Sequence, residues 1–434
     1  MAVILTLFEH ETIAFAWQSR HVGILERLAA QSGGEVLRPT THNGVPVLKA
    51  SQFVGIVRLG DVTIQILPKI YRRNAPTEKR SEEATRNLLH LLAYAGTLQI
   101  RQAVIASLLQ RRSDWFEILT YLFATHLTAE WQRGAARTYQ TIEEELPVLK
   151  GSWRIAEQLR RPERRHLFAV TYDELTADNQ LNRVLRFVVE RLWRLTRDLD
   201  NRRLLGELRQ WMEDVALVPA VTARQAGPEL ITRLNSRYEP LLNLARLFLD
   251  GGALQLTSGD LSNFAFVFDM NRLFEGFVAG FLARHRAEIL PQALENCEIL
   301  PQTRGAARWL AQVGGRDVFR LEPDLALRQG EAFPILIDTK YKQLNPDKAT
   351  TLGVAQEDFY QMYAYATRYG CPRVILLYPQ NFESAGVELP RFRFAHMPGQ
   401  IDVAVIDIRR DLGAADVRAD LIAHLRSILE GEST

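Results

Sequence analysis

The sequence predicts a multidomain α+β protein with a β-rich N-terminal domain, a mainly α-helical middle region and a C-terminal α/β domain. Three successive patterns along the 434 residues support this prediction. Strand-like alternation comes first, apolar residues then recur at spacings of three and four, and strands and helices are mixed from about residue 260. Because this length exceeds one ordinary core, we expect domains at 1–75, 76–258 and 259–434.

Tight turns mark the N-terminal part. Asn43-Gly44 separates two apolar runs, and both residue types tolerate the positive φ of a two-residue hairpin. Gly60-Asp61 separates two further runs, the second of which alternates as in a strand buried on one face. Pro68 is expected to end that strand, because proline has no backbone N–H to donate.

The middle of the chain repeats its apolar residues with a helical period. The segments that do so are RNLLHLLAYA, DWFEILTYLFATHLTAEW and NRVLRFVVERLWRLTRDL. Ser113-Asp114 and Asp178-Asn179 stand where N-caps are expected. A short strand is expected near LFAVTYDEL, and the polar stretch 72–82 is the clearest linker candidate.

Composition narrows the possible classes of protein. Hydrophobic residues make up 47% and charged residues 24%, as in ordinary globular proteins. No run approaches the roughly 20 apolar residues of a membrane span, and the N-terminus lacks a basic signal-peptide region. With two cysteines, Cys297 and Cys371, we expect a cytoplasmic protein without a disulfide framework. The formal charge of +2 does not by itself indicate a nucleic-acid partner.

Two strand-like runs in the C-terminal part, at about 317–327 and 333–341, carry charged residues where burial is expected. The second run is continuously apolar before Asp338 and Lys340, which are spaced by two and therefore face the same side of a strand. Asp324, on the neighbouring run, can reach the same place. Because burying unpaired charges is costly, the group requires a counter-charge, a metal ion or an open cleft.

Carboxylates that converge with a lysine suit phosphodiester hydrolysis. The carboxylates can bind one or two Mg²⁺ ions, which activate water and stabilise charge on a phosphate. The lysine can orient the water or stabilise developing negative charge. A structural ion pair at a strand end is the alternative for an isolated Asp-x-Lys.

Two predicted helices bring further candidates. Glu275 lies at the edge of an apolar stripe on a helix expected over 266–284, which could deliver it to the cleft by packing on the sheet. The alternative interpretation is that Glu275 is a solvated residue at the flank of the helix. Gln361 and Tyr365 lie four residues apart on one face of a helix expected over 353–369, where a local packing contact is the alternative. Strands at 373–378 and 401–408 and a helix at 416–430 complete this part.

In chain order, Glu, Pro-Asp, Asp-x-Lys and Gln-x-x-x-Tyr resemble the motifs of the PD-(D/E)xK nuclease superfamily and its RecB-like branch. The resemblance implies a restriction-endonuclease-like fold for the C-terminal domain. By the same resemblance, Asp324, Asp338 and Glu275 would be metal ligands, and Lys340 would be the catalytic lysine. Gln361 and Tyr365 would be auxiliary residues near the site.

Several longer sequence segments are similar to those of the McrC family. This family supplies the nuclease subunit of McrBC-type modification-dependent (type IV) restriction systems. The similar segments are IQILPKIY, YDELTADNQLNRVLR, FDMNRLFEGFV, LEPDLAL, IDTKYK and DFYQMYAYA. The resemblance implies an Mg²⁺-dependent endonuclease that acts on double-stranded DNA with a second nuclease subunit. It also implies a partner, a McrB-like AAA+ GTPase ring that binds the GTP and engages the N-terminal β region. No lysine of the chain follows a glycine, so the chain has no P-loop.

Two surface interpretations remain open. The hairpin tip with Arg38, His42 and Asn43 is a candidate contact for the ring, and an ordinary surface hairpin is the alternative. An arginine cluster is a candidate DNA-backbone contact, with a solvated helix end as the alternative; its members are Arg160, Arg161, Arg164 and Arg165.

Two other functions remain possible alongside the restriction nuclease. One is a stand-alone RecB-like DNA repair or processing nuclease, active without an NTPase. The other is a catalytically idle adaptor of an AAA+ ring, against which the intact Asp324, Asp338 and Lys340 argue. The sequence does not indicate which DNA modification is recognised, and 5-methylcytosine is the default that the resemblance implies.

Overall fold

The chain forms two compact units. In the computed structural model, the described residues are 3–72, 78–96, 115–164, 166–250, 263–302, 306–348, 350–382, 386–396 and 398–431. The first unit comprises Met1–Trp115 and Ser262–Thr434, and the second comprises Phe116–Leu261. Among the described residues, no helix combines the length and apolar character that crossing a bilayer requires.

The strands of the described residues are numbered in chain order. They are β1 (Val3–Phe8), β2 (Thr12–Ala14), β3 (Leu37–His42), β4 (Val45–Ala50), β5 (Phe53–Leu59), β6 (Val62–Leu67), β7 (Thr138–Leu146), β8 (Ser152–Trp153), β9 (Phe168–Thr176), β10 (Asn263–Asp269), β11 (Glu298–Pro301), β12 (Arg308–Val313), β13 (Arg316–Leu321), β14 (Leu325–Gln329), β15 (Ala332–Thr339), β16 (Arg373–Pro379), β17 (Arg391–Arg393) and β18 (Gln400–Ile406).

The α-helices are numbered in the same way. They are α1 (Ser19–Ser32), α2 (Glu78–Tyr94), α3 (Trp115–Gln132), α4 (Ile155–Arg160), α5 (Gln180–Leu195), α6 (Leu199–Trp211), α7 (Glu239–Asp250), α8 (Met270–Arg284), α9 (Arg286–Ile289), α10 (Gln356–Tyr369) and α11 (Ala415–Glu430). Short 3₁₀ turns lie between several of them, including one at Lys69–Tyr71.

The first sheet of the first unit joins residues from both ends of the chain. Its strand order is β1-β6-β5-β10, with β1 parallel to β6 and the other pairs antiparallel. Every residue of β5 is buried, so this strand is covered on both faces. Gly55 allows β10 to approach, because a Cβ there would lie 2.1 Å from the carbonyl oxygen of Phe266. The first unit thus joins residues 1–115 with 262–434, and the expected domain divisions at 75 and 258 stay predictions.

The predicted N-terminal turns are confirmed. Asn43 and Gly44 have φ values of 50° and 78° and connect β3 to β4 in a three-stranded sheet of order β2-β4-β3. Gly60 and Asp61 connect β5 to β6. The β6 ladder ends at Leu67, the residue before Pro68, as expected from the missing proline N–H.

The second sheet of the first unit has the order β11-β14-β15-β16-β18-β17. β15, β16 and β18 are parallel, and α10 provides the crossover between β15 and β16. One face packs into a core with α10 that includes Leu336, Met362 and Ala366. The predicted mixture of strands and helices in this part is therefore confirmed.

The second unit contains more β-structure than predicted. The expected short strand near LFAVTYDEL is β9, which pairs with β7 over nine residues and with β8, so the middle region includes a three-stranded sheet. β7 is largely exposed, and its polar residues therefore lack the alternation that reveals a buried strand. The N-cap at Asn179 is confirmed, since its side chain accepts from the Asn182 amide. The other cap candidate, Ser113-Asp114, lies outside the described residues.

Three predicted element boundaries are wrong. The helix expected over 266–284 begins at Met270, because the preceding residues pair with β5 as β10 and the Asp269 side chain caps the amide of Asn271. The single strand expected over 317–327 is broken at Pro323 into β13, which pairs only with β12 among the described strands, and β14, which joins the large sheet. The linker expected at 72–82 includes the start of α2 at Glu78, and 73–77 lie outside the described residues.

A buried polar junction lies within the first unit. The Oε2 atom of Glu9, which follows β1, accepts hydrogen bonds from the backbone amide of Lys69 at 2.9 Å and the hydroxyl of Tyr341 at 3.0 Å. Glu9 has no exposed surface. Burial raises the pKa of Glu9 to about 7, although the positive charge of Lys69 and these hydrogen bonds oppose the rise.

We expect Glu9→Gln to stabilise the protein more at pH 8 than at pH 5. Because the folded pKa is about 7 and the ordinary value is 4.5, the folded state holds a proton that the unfolded chain has lost. Stability therefore falls as the pH rises between these two values. Glutamine does not titrate, so the variant gains roughly 2 to 3 kcal/mol relative to the parent between pH 5 and pH 8.

Urea unfolding at several pH values checks this. Glu26→Gln, at an exposed position of α1, is the matched control and should show no comparable trend. A stability difference between Glu9→Gln and the parent that is constant from pH 5 to pH 8 would contradict the expectation.

Candidate active site

Asp324 and Asp338 lie side by side where β14 and β15 meet. Leu325 pairs with Ile337 in this antiparallel ladder, so the residues next to them in sequence are neighbours across the two strands. Asp338 is 2% exposed although it carries a carboxylate. The sequence predicted this meeting, and the continuous apolar run before Asp338 explains why the carboxylate is buried.

Asp324 is fixed by the residue after Asp338. Its Oδ2 atom accepts hydrogen bonds from the backbone amide of Thr339 at 2.7 Å and from the Thr339 hydroxyl at 2.6 Å. The backbone carbonyl of Asp324 accepts from the amide of Gln302 at 2.8 Å. Sequence analysis missed Thr339, because strand alternation places its side chain on the face opposite to Asp338.

Lys340 extends the site from the end of β15. Its Nζ atom lies 2.6 Å from Oδ2 of Asp338, which confirms that the two side chains share a face. The same Nζ atom donates to Oε1 of Gln361 at 3.0 Å. The backbone amide of Lys340 donates to the carbonyl of Leu377 on β16 at 2.9 Å, so the main chain at this lysine is also fixed.

A second buried carboxylate, Asp358 on α10, faces the lysine. Its Oδ1 atom lies 3.8 Å from Nζ of Lys340, and its Oδ2 atom lies 2.7 Å from Nζ of Lys342. Sequence analysis missed Asp358. It precedes Gln361 by three residues, and this spacing places the two on one helix face, which is the signal that could have found it.

Gln361 and Tyr365 connect α10 to the loop that carries Asp324. The Nε2 atom of Gln361 donates to the Tyr365 hydroxyl at 2.8 Å, and that hydroxyl donates to the backbone carbonyl of Glu322 at 3.1 Å. Lys340, Gln361, Tyr365 and Glu322 therefore form a continuous hydrogen-bonded chain. The predicted pair is a local contact that also reaches the candidate site.

Glu275 lies at the edge of this group. Its Oε1 atom accepts from Nε2 of Gln302 at 3.0 Å, and Gln302 also holds the backbone of Asp324. Burial raises the pKa of Glu275, and the charge of Asp324 raises it further. Helix α8 therefore places Glu275 on the Asp324 side of the site.

Burial and the repulsion between neighbouring carboxylates shift the pKa values of the site residues. Burial raises the pKa of Asp338 to about 7, and the negative charge of Asp324 adds to the rise. Burial also raises the pKa of Asp324, against the two hydrogen bonds from Thr339. Burial disfavours the charged form of Lys340. The nearby carboxylates, of which Asp338 has the largest effect, outweigh burial and raise the pKa of this lysine.

The side chains around Asp324 and Asp338 fit a hard cation. Carboxylate oxygens are the ligands that Mg²⁺ prefers, and Mg²⁺ needs only one or two carboxylates beside water and substrate oxygens. A cation would also relieve the repulsion that raises the pKa of Asp338. Within the described parts of the chain, no three His, Cys, Asp or Glu side chains are grouped closely enough to hold a metal ion.

The predicted arginine cluster belongs to the second unit. Arg161 and Arg164 both donate to the carboxylate of Glu145 on β7, each at 2.6 Å. Arg160 is exposed at the end of α4, and Arg165 lies outside the described residues. Because one glutamate neutralises part of the charge of two arginines, these side chains present less positive charge than the sequence alone indicates.

The predicted ring-contact residues lie on the β3–β4 hairpin of the first unit. His42 and Asn43 are exposed at its tip. Arg38 lies near its base, where its Nε atom donates to Glu35 at 2.8 Å. The residues from 41 to 46 are all exposed, so the tip is available for contact with another molecule.

Comparison with known families identifies the chain. The model of the family described as McrBC 5-methylcytosine restriction system component matches residues 48–379. The chain belongs to this McrBC family. The matched residues include Asp324 and Asp338 at the strand pair and the lysine at position 340. They also include the helix with Gln361 and Tyr365. No curated protein sequence matches the chain significantly.

Solved structures with the same fold come from Thermococcus gammatolerans. A chain from a half-complex of a tetradecameric assembly of McrB AAA+ hexamers with bound McrC is 22% identical to this McrBC-family protein. It has a TM-score of 0.69, and the alignment covers 98% of this chain and 100% of that one. A chain from the cryo-EM structure of the McrBC complex is 25% identical, with a TM-score of 0.51 and coverage of 65% and 88%, respectively.

We expect Asp324→Asn to lower the pKa of Asp338 below its value of about 7. The substitution removes the neighbouring negative charge, the largest electrostatic contribution to the raised pKa after burial. Asn retains a side-chain oxygen that can accept from Thr339. A ¹³C-NMR titration of the Asp338 carboxyl carbon, assigned with Asp338→Asn and carried out without added metal, measures the change.

Asp358→Asn provides the graded comparison. The charge of Asp358 also raises the pKa of Asp338, but it contributes less than the charge of Asp324. The shift in Asp358→Asn should therefore be smaller and in the same direction. An unchanged Asp338 titration in Asp324→Asn would show that the two carboxylates do not interact as the structure indicates.

Proposed function

We propose that this chain is the Mg²⁺-dependent DNA endonuclease subunit of a McrBC-type restriction system. In this proposal, residues 259–434 form a PD-(D/E)xK nuclease domain. The observation that carries the proposal is the juxtaposition of Asp324, Asp338 and Lys340 at the end of one strand pair. Family membership over residues 48–379 supports the system to which the nuclease belongs.

Asp324 and Asp338 would hold Mg²⁺. The third expected ligand, Glu275, is not grouped closely with both aspartates in the described structure, so it is proposed to act from the edge of the site. When bound, the ion supplies Lewis acidity that activates water and offsets charge on the scissile phosphate. The hydrogen bonds from Thr339 leave Oδ1 of Asp324 available, because both are made to Oδ2. The carboxylate is thus oriented before any ligand arrives, which avoids a reorganisation cost.

Lys340 is proposed as the catalytic lysine. Because its pKa is raised, it carries a positive charge at neutral pH. It would therefore donate a hydrogen bond to the attacking water or to a phosphate oxygen, and it would not act as the base. Gln361 and Tyr365 act through Lys340, since their hydrogen bonds fix it relative to the Glu322 carbonyl.

The partner is proposed to be a McrB-like AAA+ GTPase ring. One structure with the same fold has McrC bound to McrB AAA+ hexamers. We propose that the N-terminal β region of this chain engages such a ring and stimulates its GTPase, and that the ring binds the GTP. The substrate would be double-stranded DNA carrying a modification, 5-methylcytosine by default, and a second nuclease subunit would cut the other strand.

We expect Lys340→Ala and Asp338→Ala to eliminate DNA cleavage while stimulation of the partner GTPase remains. The first substitution removes the cation of the site, and the second removes a proposed Mg²⁺ ligand. Plasmid cleavage in the presence of the cognate GTPase, GTP and Mg²⁺ measures the nuclease, and phosphate release measures the GTPase. Lys348→Ala, at an exposed position, is the control and should cleave normally.

Near-normal cleavage by either active-site variant would refute the site assignment. Mg²⁺-dependent nicking by the isolated wild-type chain would instead favour a stand-alone RecB-like nuclease. If the wild-type chain stimulates the GTPase but never cleaves methylated DNA, the chain is an idle adaptor.

We expect shortening of the β3–β4 hairpin to abolish stimulation of the partner GTPase. Two paired positions can be removed while the Asn43-Gly44 turn and the pairing of Thr40 with Val47 are retained. Removing two residues from each strand preserves which side chains face each side of the sheet. The deleted residues are Thr41, His42, Val45 and Pro46.

The matched control is Asp61→Asn, at the exposed β5–β6 turn, which leaves the β3–β4 hairpin intact. Both proteins are compared for GTPase stimulation and thermal stability. Full stimulation by the shortened protein would rule out the tip as the ring contact.

A further inference from the structure

Three buried polar residues connect the N-terminal sheet to the chain segment just after β15, which contains Lys340. Glu9 follows β1, Lys69 lies in the 3₁₀ turn after β6, and Tyr341 follows Lys340 directly. They are 0%, 8% and 2% exposed, respectively. Polar side chains at such depth are costly unless their contacts compensate, so their hydrogen bonds indicate what they hold in place.

Their hydrogen bonds converge on the main chain and side chain of Tyr341. Nζ of Lys69 donates to the backbone carbonyl of Tyr341 at 2.8 Å and lies 4.5 Å from the centre of its ring. The Tyr341 hydroxyl donates to Glu9, which also accepts the Lys69 amide. Nε2 of Gln343 donates to the carbonyl of Lys69 at 3.2 Å. The N-terminal sheet therefore holds the chain just after Lys340 at several points.

Tyr341 is also held from the other side. Its ring lies 5.9 Å from the ring of Phe274, on the helix that carries Glu275. The preceding residue, Lys340, is fixed to β16 through its backbone amide. The direction of the Lys340 side chain thus depends on two anchors, the large sheet before it and the Glu9–Lys69 pair after it.

The sheet itself does not require these polar groups. β1 and β6 already pair along six residues, and their core is apolar. Glu9 also carries a cost, because its Oε1 atom is buried and has no hydrogen-bond partner in the structure. An apolar residue at position 9 would avoid that cost but could not bind Tyr341 or the Lys69 amide. The contacts with Tyr341 are therefore what these buried polar groups specifically provide.

We propose that Glu9 and Lys69 are positioning residues for Lys340, acting through Tyr341. The N-terminal sheet, through these two side chains, fixes the main chain beside Lys340 and with it the direction of the lysine ammonium. This inference rests on the proposed function for its catalytic consequence. Its structural core, the restraint of residues 340–343, can be measured without any nuclease activity.

The test uses the full-length chain and follows hydrogen exchange at the amides of residues 340–343. Lys69→Met keeps the length of the side chain but removes its hydrogen bond, and Tyr341→Phe removes only the hydroxyl. Because each loses a restraint, we expect exchange at 340–343 to rise roughly tenfold in both variants. Glu9→Gln keeps an acceptor for Tyr341 and Lys69, and we expect it to stay within about twofold of the parent.

Tyr71→Phe is the matched control. Its hydroxyl is also buried and donates to the carbonyl of Ile408 at 3.3 Å, but it makes no hydrogen bond to Tyr341. Exchange at 340–343 should not change in this variant even if its melting temperature falls. Unchanged exchange in Lys69→Met and Tyr341→Phe, or an equal rise in Tyr71→Phe, overturns the inference.

Cleavage with the cognate GTPase separates positioning from general destabilisation. For Lys69→Met we expect kcat to fall roughly tenfold, while the Mg²⁺ concentration for half-maximal cleavage and the GTPase stimulation stay within about twofold. A parallel loss of all three quantities overturns the inference. If the wild-type chain shows no cleavage, the proposed function fails, and the exchange result alone decides this inference.

Discussion

The repulsion between Asp324 and the buried Asp338, which lie side by side, determines the rest of the candidate site. Burial and this repulsion together raise the pKa of Asp338 to about 7. The surrounding groups oppose both effects: Thr339 donates two hydrogen bonds to Asp324, and Lys340 pairs with Asp338. Each of these contacts needs a fixed main chain, which the ladder of β14 and β15 provides.

The positive side of the site has a support of its own. Lys340 is shared between Asp338, Gln361 and Asp358, and the last two come from one face of α10. Helix α10 and strand β15 are therefore held together by ionic contacts as well as by the apolar core around Leu336 and Met362. Asp324 and Lys340 directly adjoin the ends of paired strands. The site is therefore more rigid than one carried by long loops, which suits the proposed phosphodiester hydrolysis.

Local signals in the sequence were sufficient for much of this arrangement. Asn43-Gly44 predicted a hairpin, and the two-residue spacing of Asp338 and Lys340 predicted a shared face, because each pattern depends only on neighbouring residues. Glu9 and Lys69 could not be predicted, since their contacts with Tyr341 join positions about 270 to 330 residues apart. The break at Pro323 and the strand β10 were missed because partner strands, and not local periodicity, decide where those elements begin and end.

The strand β10 has a consequence for synthesis of the protein. During translation, β1, β5 and β6 leave the ribosome early, but the strand that covers the edge of β5 follows only after residue 262. Until then, one edge of a fully buried and largely apolar strand lacks its partner and can pair with another nascent chain. The N-terminal region alone therefore forms an incomplete sheet, and a gene split before residue 263 would yield a first product with an open sheet edge.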